Sequence, residues 1–230
     1  MIDAKKQDRL TFGIGLAVLL FASFSWFYAL RFAPSDEAQG EVYRIMYFHV
    51  PSAITAFLSS FILLFFSLWT LFKRSPVAAS WSKACAEVGF MYTAITLITG
   101  SIWGRPTWGV WWEWDARLTT TLILALLYAG YLIFTNSMAP GSQRDRMAAA
   151  LGLIIAIDIP IIYKSVEWWR TLHQPPSLLR SGGSTMDPEM RSILFLCMFA
   201  MFFIAGWLLW LRAVNLQLQA KIEEQSHQAR

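Results

Sequence analysis

Apolar residues fall in six long runs along the chain, separated by short polar connections. The runs cover about 10–30, 45–72, 84–103, 118–134, 147–163 and 193–214. A helix needs roughly 20 apolar residues to cross a hydrocarbon core about 30 Å thick. Because lipid cannot satisfy backbone polar groups, runs of this length are helical. The pattern predicts an all-α polytopic protein with six transmembrane helices, forming a single helical membrane domain over residues 1–230.

Composition supports this prediction. Of the 230 residues, 56% are hydrophobic and only 15% are charged, whereas a soluble domain carries about 25% charged residues. The first apolar run is longer than the roughly 7–15 residues of a signal-peptide core, and no small-x-small cleavage site follows it. We therefore expect it to be a retained membrane anchor.

The distribution of Lys and Arg predicts the orientation. The N-terminus, the connections near residues 73–83 and 144–146, and the tail at 215–230 carry more of these residues than the other connections. Positive residues accumulate on the cytoplasmic side. Both termini are therefore expected in the cytoplasm, with loop 103–117 on the outer face of the membrane.

That loop is unusually rich in tryptophan. The stretch WGRPTWGVWWEWD, residues 103–115, holds five of the chain's twelve tryptophans. Trp108, Trp111, Trp112 and Asp115 follow the spacing of one helical face, and Pro106 with Thr107 resembles a helix start. The pattern predicts a short amphipathic helix at the outer membrane–water interface, leading into the fourth span.

Two of the three histidines flank this loop in sequence. His49 lies at the beginning of the second span and His173 just beyond the fifth, so both are expected on the same side as the tryptophans. A single histidine at a membrane boundary is usually an interfacial hydrogen-bonding residue. Two on one face, with aromatic residues between them, favour metal ligation, because neutral imidazole binds metals and commonly holds haem iron axially.

Tryptophan, histidine and arginine together form a coherent haem-binding set. Indole rings stack on a flat porphyrin, imidazoles hold the iron, and the planar guanidinium suits the propionates. An aromatic belt at the membrane interface is the competing interpretation, but it does not readily explain five tryptophans in thirteen positions. Trp168 and Trp169 fit either a belt or a wall of the site. Trp169 would share a face with His173 if the fifth helix continued, so we expect Trp169 to be part of the haem platform.

The motif WGVWWEWDARLT resembles the tryptophan-rich signature of the haem-handling proteins of cytochrome c biogenesis. The flanking stretches YRIMYFHVP and SVEWWRTLHQ, together with six spans, resemble one branch specifically: the haem exporter protein C family of the system I maturation pathway. The similarity covers roughly residues 26–214.

The resemblance implies a set of functional residues. The family's haem-ligand histidines match His49 and His173, and its arginines match Arg44 and Arg117, in propionate binding or motif support. The signature that would form the haem platform matches Trp108, Trp111, Trp112, Trp114 and Asp115.

The resemblance also implies a function. Such proteins are not enzymes: they bind haem b transiently and non-covalently at the periplasmic surface of a bacterial inner membrane. They deliver it to a membrane-anchored haem chaperone, and the Trp-rich helix predicted above would then lie on the periplasmic face. They work with an ATPase subunit, a second membrane subunit and a small membrane subunit. No nucleic-acid partner is expected.

Two other functions remain open at the level of sequence. One is a b-type membrane cytochrome exchanging electrons with quinone, although both candidate ligands lie at the membrane margin. The other is a permease, for which Asp158 and Glu87 are among few intramembrane polar groups. Asp158 has no assigned role. Cys85 and Cys197 lack C-x-x-C spacing and are expected to be buried thiols, and no P-loop for ATP occurs.

Overall fold

The computed structural model describes residues 4–174 and 183–228. Within these ranges the regular elements are all helical, and six helices are long and apolar enough to cross a membrane. They are α1 (Ala4–Phe32), α2 (Met46–Lys73), α3 (Pro76–Trp108), α4 (Ala116–Ser137), α5 (Ser142–Trp168) and α6 (Pro188–Gln228), with a 3-10 turn at Glu41–Ile45 before α2. The prediction of an all-α protein with six spans is confirmed.

Short and long connections alternate along the chain. Successive membrane-crossing helices run in opposite directions, so residues 33–45, 109–115, 169–174 and 183–187 lie at one end of the bundle, here called the long-loop end. The connections at 74–75 and 138–141 lie at the other, the short-loop end. Helix α2 packs on α3, α5 and α6, α4 packs between α3 and α5, and α1 packs mainly along α6.

A proline near the start of α2 leaves a backbone carbonyl that a side chain of α1 satisfies. Pro51 lies inside α2 and has no N–H to donate to the Tyr47 carbonyl one turn earlier. The indole Nε1 of Trp26 in α1 donates to that carbonyl instead, at 3.1 Å. A side chain from a neighbouring helix thus satisfies a backbone group that lipid could not satisfy.

The interior of the bundle contains small residues and hydroxyl side chains that hydrogen-bond to the backbone of their own helix. Thr55, Ser59 and Thr93 each donate to the carbonyl four residues earlier, at 2.7–2.8 Å, which allows hydroxyl groups to lie between helices. Gly89 of α3 packs directly on Tyr128 of α4, where a Cβ would lie 2.2 Å from the phenol oxygen. Cys85 and Cys197 are free and buried, as expected.

Candidate functional site

A cavity of about 410 Å³ opens among the helix ends at the long-loop end. Its volume is within the range of about 300–1,000 Å³ that is typical of small-molecule sites. The lining comes mainly from α2, α3, α4 and α5, with further residues from the connection after α1, the segment after α5 and the start of α6. It includes both His49 and His173. The structure therefore brings together, in one cavity, the two histidines that flank the tryptophan loop in sequence.

Hydrogen bonding fixes the tautomer of His49. Its Nδ1 lies 3.1 Å from the hydroxyl oxygen of Thr99, and that hydroxyl donates its own proton to the Ile95 carbonyl at 2.7 Å. The Thr99 oxygen must then accept from Nδ1–H, which leaves the lone pair of His49 on Nε2. Such a partner orients an imidazole for metal ligation.

The surroundings of His49 also restrict its ring. The edge of the Trp103 ring meets it at a centroid distance of 5.6 Å and an angle of 75°. A Cβ on Gly100 would lie 3.0 Å from the imidazole Cε1, so glycine at this position lets the ring approach α3 closely.

His173 has the same tautomer for a different reason. Its Nδ1 is 2.9 Å from the Gln174 carbonyl, which can only accept, so Nε2 again carries the lone pair. Burial lowers the pKa of His173, and the positive charge of Arg117 lowers it further, against opposing effects of the Gln174 carbonyl and Asp115. The neutral imidazole, which is the metal-binding form, is favoured. The Trp108 ring lies 6.4 Å away, centroid to centroid.

Asp115 connects the tryptophan loop to the His173 segment. Its Oδ1 accepts from the Leu118 N–H at 2.8 Å, capping α4. Its Oδ2 accepts from the Thr171 hydroxyl at 2.5 Å and from the Leu172 N–H at 3.1 Å. The Thr171 oxygen in turn accepts from the His173 N–H at 3.1 Å. This buried carboxylate is thus the anchor of the non-helical segment that carries His173.

The predicted amphipathic helix over residues 108–115 is wrong. Helix α3 continues to Trp108 and ends at Gly109, whose φ of 82° is left-handed, a conformation that glycine adopts without steric cost. Pro106 and Thr107 therefore lie in the last turn of α3 and do not begin a new helix. Residues 110–115 form an irregular loop, which the Ser101 hydroxyl holds by donating to the Trp111 carbonyl at 2.6 Å.

The loop divides the tryptophans into two groups. Trp108 and Trp112 line the cavity, whereas Trp111 and Trp114 are 59% and 71% exposed. Trp112 and Trp114 meet edge to face at a centroid distance of 5.5 Å. Trp169 is 53% exposed. Because α5 ends at Trp168, the expected helical register between Trp169 and His173 does not exist.

The two arginines differ in their surroundings. Arg117 lines the cavity; its guanidinium donates to the Ile162 and Tyr163 carbonyls of α5 at 3.3 Å, and its Nε has no partner in the described part of the chain. Arg44 is absent from the described lining of the cavity. It pairs with Glu41 at 2.8 Å and donates to the carbonyls of Leu30 and Ala33, so it caps the end of α1.

Sequence reasoning missed two polar residues that act at this site. Thr99 contacts His49, but a single hydroxyl in an apolar run did not distinguish it from the other threonines of α3. Gln39, in the connection after α1, lines the cavity. Its Oε1 accepts from the Trp103 indole at 2.7 Å, with the Thr107 hydroxyl at 3.4 Å. Its amide N–H groups are consequently the part of the side chain left for another acceptor.

A cavity at a membrane boundary with two fixed imidazole acceptors, indole walls and an arginine is typical of a haem-binding membrane protein. Comparison with known proteins agrees with this class. The family model described as "Heme exporter protein C" matches residues 4–228, and the chain belongs to that family.

Individual relatives show the same similarity. A heme exporter protein C of Bradyrhizobium diazoefficiens is 46% identical over 160 residues, covering 70% of this chain and 61% of the relative. The chain thus matches less than two thirds of that relative's length. The Escherichia coli K12 protein of the same name is 38% identical over 208 residues, or 89% of this chain and 82% of its own length. That of Paracoccus denitrificans is 38% identical over 180 residues, or 78% and 75%.

Proposed function

We propose that this chain binds haem at the long-loop end, through axial bonds from His49 and His173, and delivers it during cytochrome c maturation. The observation that carries the proposal is that both histidines line one cavity with Nδ1 occupied by a hydrogen bond and Nε2 free. Haem b would be a transient, non-covalent cargo, which makes the chain a delivery protein and not an enzyme.

The remaining lining supports this cargo. Trp108 and Trp112 supply flat apolar walls next to the histidines, suited to stacking on a porphyrin. Arg117 is the proposed partner of a propionate, because it lines the cavity and has an unpartnered Nε. Arg44 supports the site indirectly by capping α1, and Asp115 does so by anchoring the His173 segment.

Release of the cargo requires access from outside. Trp111, Trp114 and Trp169 are exposed around the loops of the same end, and exposed aromatic side chains are common contacts in protein interfaces. We propose that they receive the membrane-anchored haem chaperone on the periplasmic side of a bacterial inner membrane. An ATPase subunit, a second membrane subunit and a small membrane subunit are the further proposed partners.

Absorption spectroscopy of the purified full chain, titrated with haem in detergent, tests the ligands. We expect a low-spin spectrum with two imidazole ligands, altered in His49→Ala and in His173→Ala, and loss of axial ligation in the double variant. His227→Ala, which changes the chain's remaining histidine, is the matched control and should retain the wild-type spectrum. An unchanged bis-imidazole spectrum in the double variant would refute the assignment.

A further inference from the structure

A second cavity, of about 330 Å³, lies at the short-loop end. Its lining comes from the last turn of α2, the first turns of α3 and α5, the end of α4 and one side of α6. All of these helix ends are boundaries of membrane-spanning segments. The cavity therefore lies where the hydrocarbon core meets the headgroup layer, on the membrane face opposite the two histidines.

The lining has an excess of positive charge. Its basic side chains are Arg74, Lys83, Arg144 and Arg146, and its acidic ones are Asp145 and Glu223. Asp145 is neutralised by an ion pair with Arg144 at 2.8 Å. Arg74, Lys83 and Arg146 form no ion pair within the described residues; Lys83 donates to the neutral amide oxygen of Asn136 at 2.6 Å.

Backbone donors add to this charge. Helix α5 begins at Ser142, and its N-cap residue Gly141 has no side chain to accept from the first N–H groups. Those groups carry the positive end of the helix dipole and bind anions readily. The neighbouring α3 differs, because Ser75 caps it by accepting from the Ala78 N–H at 3.2 Å.

A buried hydroxyl provides independent evidence for a ligand. Ser82 lines this cavity and is only 2% exposed, yet its Oγ has no hydrogen-bond partner in the described structure. Ser52 and Ser59, by contrast, donate to the carbonyl four residues earlier. Ser67 is also buried without a partner, but it does not line this cavity. A buried polar group without a partner is uncommon and costly, so Ser82 is a donor that lacks an acceptor.

We propose that this second cavity binds the phosphate of an anionic phospholipid headgroup. One phosphate would accept from Ser82 and from the N–H groups at the start of α5, and it would neutralise Lys83 and Arg146. A free phosphate ion has the same chemistry, but lipid phosphates already lie at this depth of the bilayer. A helical segment about 10 Å across could not enter a cavity of 330 Å³. The proposal is independent of haem binding.

Thermal unfolding of the purified full chain in a neutral detergent provides the test, with added phosphatidylglycerol, phosphatidylcholine or inorganic phosphate. Phosphatidylglycerol should raise Tm, phosphatidylcholine should not, and inorganic phosphate should act only at far higher concentration. Native mass spectrometry should show one retained phosphatidylglycerol. Equal effects of the two lipids, or equal potency of inorganic phosphate, would overturn the assignment to an anionic lipid.

Variants locate the binding. Lys83→Gln and Arg146→Gln should each weaken phosphatidylglycerol binding roughly fivefold, whereas Arg31→Gln, an exposed arginine at the long-loop end, should not. In detergent alone Ser82→Ala should raise Tm slightly, because it removes a buried hydroxyl that has no partner when no ligand is bound. The same variant should weaken the effect of added lipid. If the variants bind lipid normally but no longer co-purify with a partner subunit, the cavity is a protein contact and the proposal is wrong.

Discussion

The Asp115 carboxylate accepts a hydrogen bond from the Thr171 hydroxyl at 2.5 Å, across 56 positions of sequence. Through this contact the loop after α3 holds the segment after α5, and with it the backbone of His173. The acid of the tryptophan motif, expected to be part of a haem platform, is instead buried beneath the loops and positions a histidine.

Replacing Asp115 should therefore impair the His173 site more than it impairs the fold. Asp115→Ala removes a helix cap, which costs about 1 kcal/mol, and also releases Thr171 and Leu172. We expect the protein to insert into the membrane, with haem bound more weakly and a spectrum that resembles that of His173→Ala. Haem titration followed by absorption checks this expectation.

Asp187→Ala is a matched control for that variant. Asp187 caps α6 at the same end of the bundle, accepting from Glu189 and Met190, but it makes no contact with the His173 segment among the described hydrogen bonds. It should lose similar stability and keep the wild-type spectrum. Identical spectra in the two variants would show that Asp115 acts only as a cap.

Thr99 should matter through the tautomer of His49. Thr99→Val keeps the shape of the side chain but removes the acceptor for Nδ1–H, so the ring can rotate or carry its proton on Nε2. Loss of such a supporting contact typically weakens metal binding by about 10–100-fold, and we expect a reduction of that order in haem affinity. Equilibrium haem titration measures it.

Thr93→Val tests whether that effect is specific. Thr93 lines the same cavity and back-bonds to Gly89 in the same helix, but its hydroxyl makes no described contact with His49. Its haem affinity should remain near wild type. Equal losses in the two variants would indicate a general effect of removing a hydroxyl from α3.

The tryptophans should separate into two functional groups. Trp112→Ala removes a cavity wall and should lower haem retention, whereas Trp114→Ala changes a side chain that is 71% exposed. We expect Trp114→Ala to keep its haem and to load the chaperone poorly. Parallel measurements of bound haem and of haem transferred to the chaperone test this division, which would fail if Trp114→Ala delivered haem normally.

Close packing of α3 on α4 should depend on Gly89. A Cβ there would lie 2.2 Å from the Tyr128 hydroxyl oxygen, and overpacking of this kind costs about 1–3 kcal/mol. Gly89→Ala should lower Tm, while Gly130→Ala in α4, which has no atom within 4 Å of its added Cβ, should not. A Tm for Gly89→Ala equal to that of Gly130→Ala would contradict the packing described.

Sequence patterns predicted the six helices well, because a helix that crosses the bilayer must be apolar over about 20 residues. They underestimated α3, expected at 84–103 and found at Pro76–Trp108, since a helix does not stop at the hydrocarbon boundary. Its ends are instead set by local signals, Ser75 with Pro76 at the start and Gly109 at the finish. The start of α6 has a similar local signal in the sequence: Asp187 caps a helix that begins at Pro188.

The site was predictable only in part. The tryptophan spacing matched one helical face by coincidence, and Gly109, the residue that ends α3, was the signal against that helix. The roles of Gln39, Thr99 and Thr171 depend on partners 64, 50 and 56 positions away. Such pairings arise from how helices are placed beside one another, which periodicity along a single chain does not encode.

The hydrogen bond from the Trp26 indole to the Tyr47 carbonyl bears on the order in which the helices associate during membrane insertion. When α2 enters the membrane, the Tyr47 carbonyl has no backbone donor because Pro51 lacks an N–H, and lipid tails cannot supply one. The preceding helix already carries such a donor. This hydrogen bond can therefore form before α6, along which α1 mainly packs, has been made.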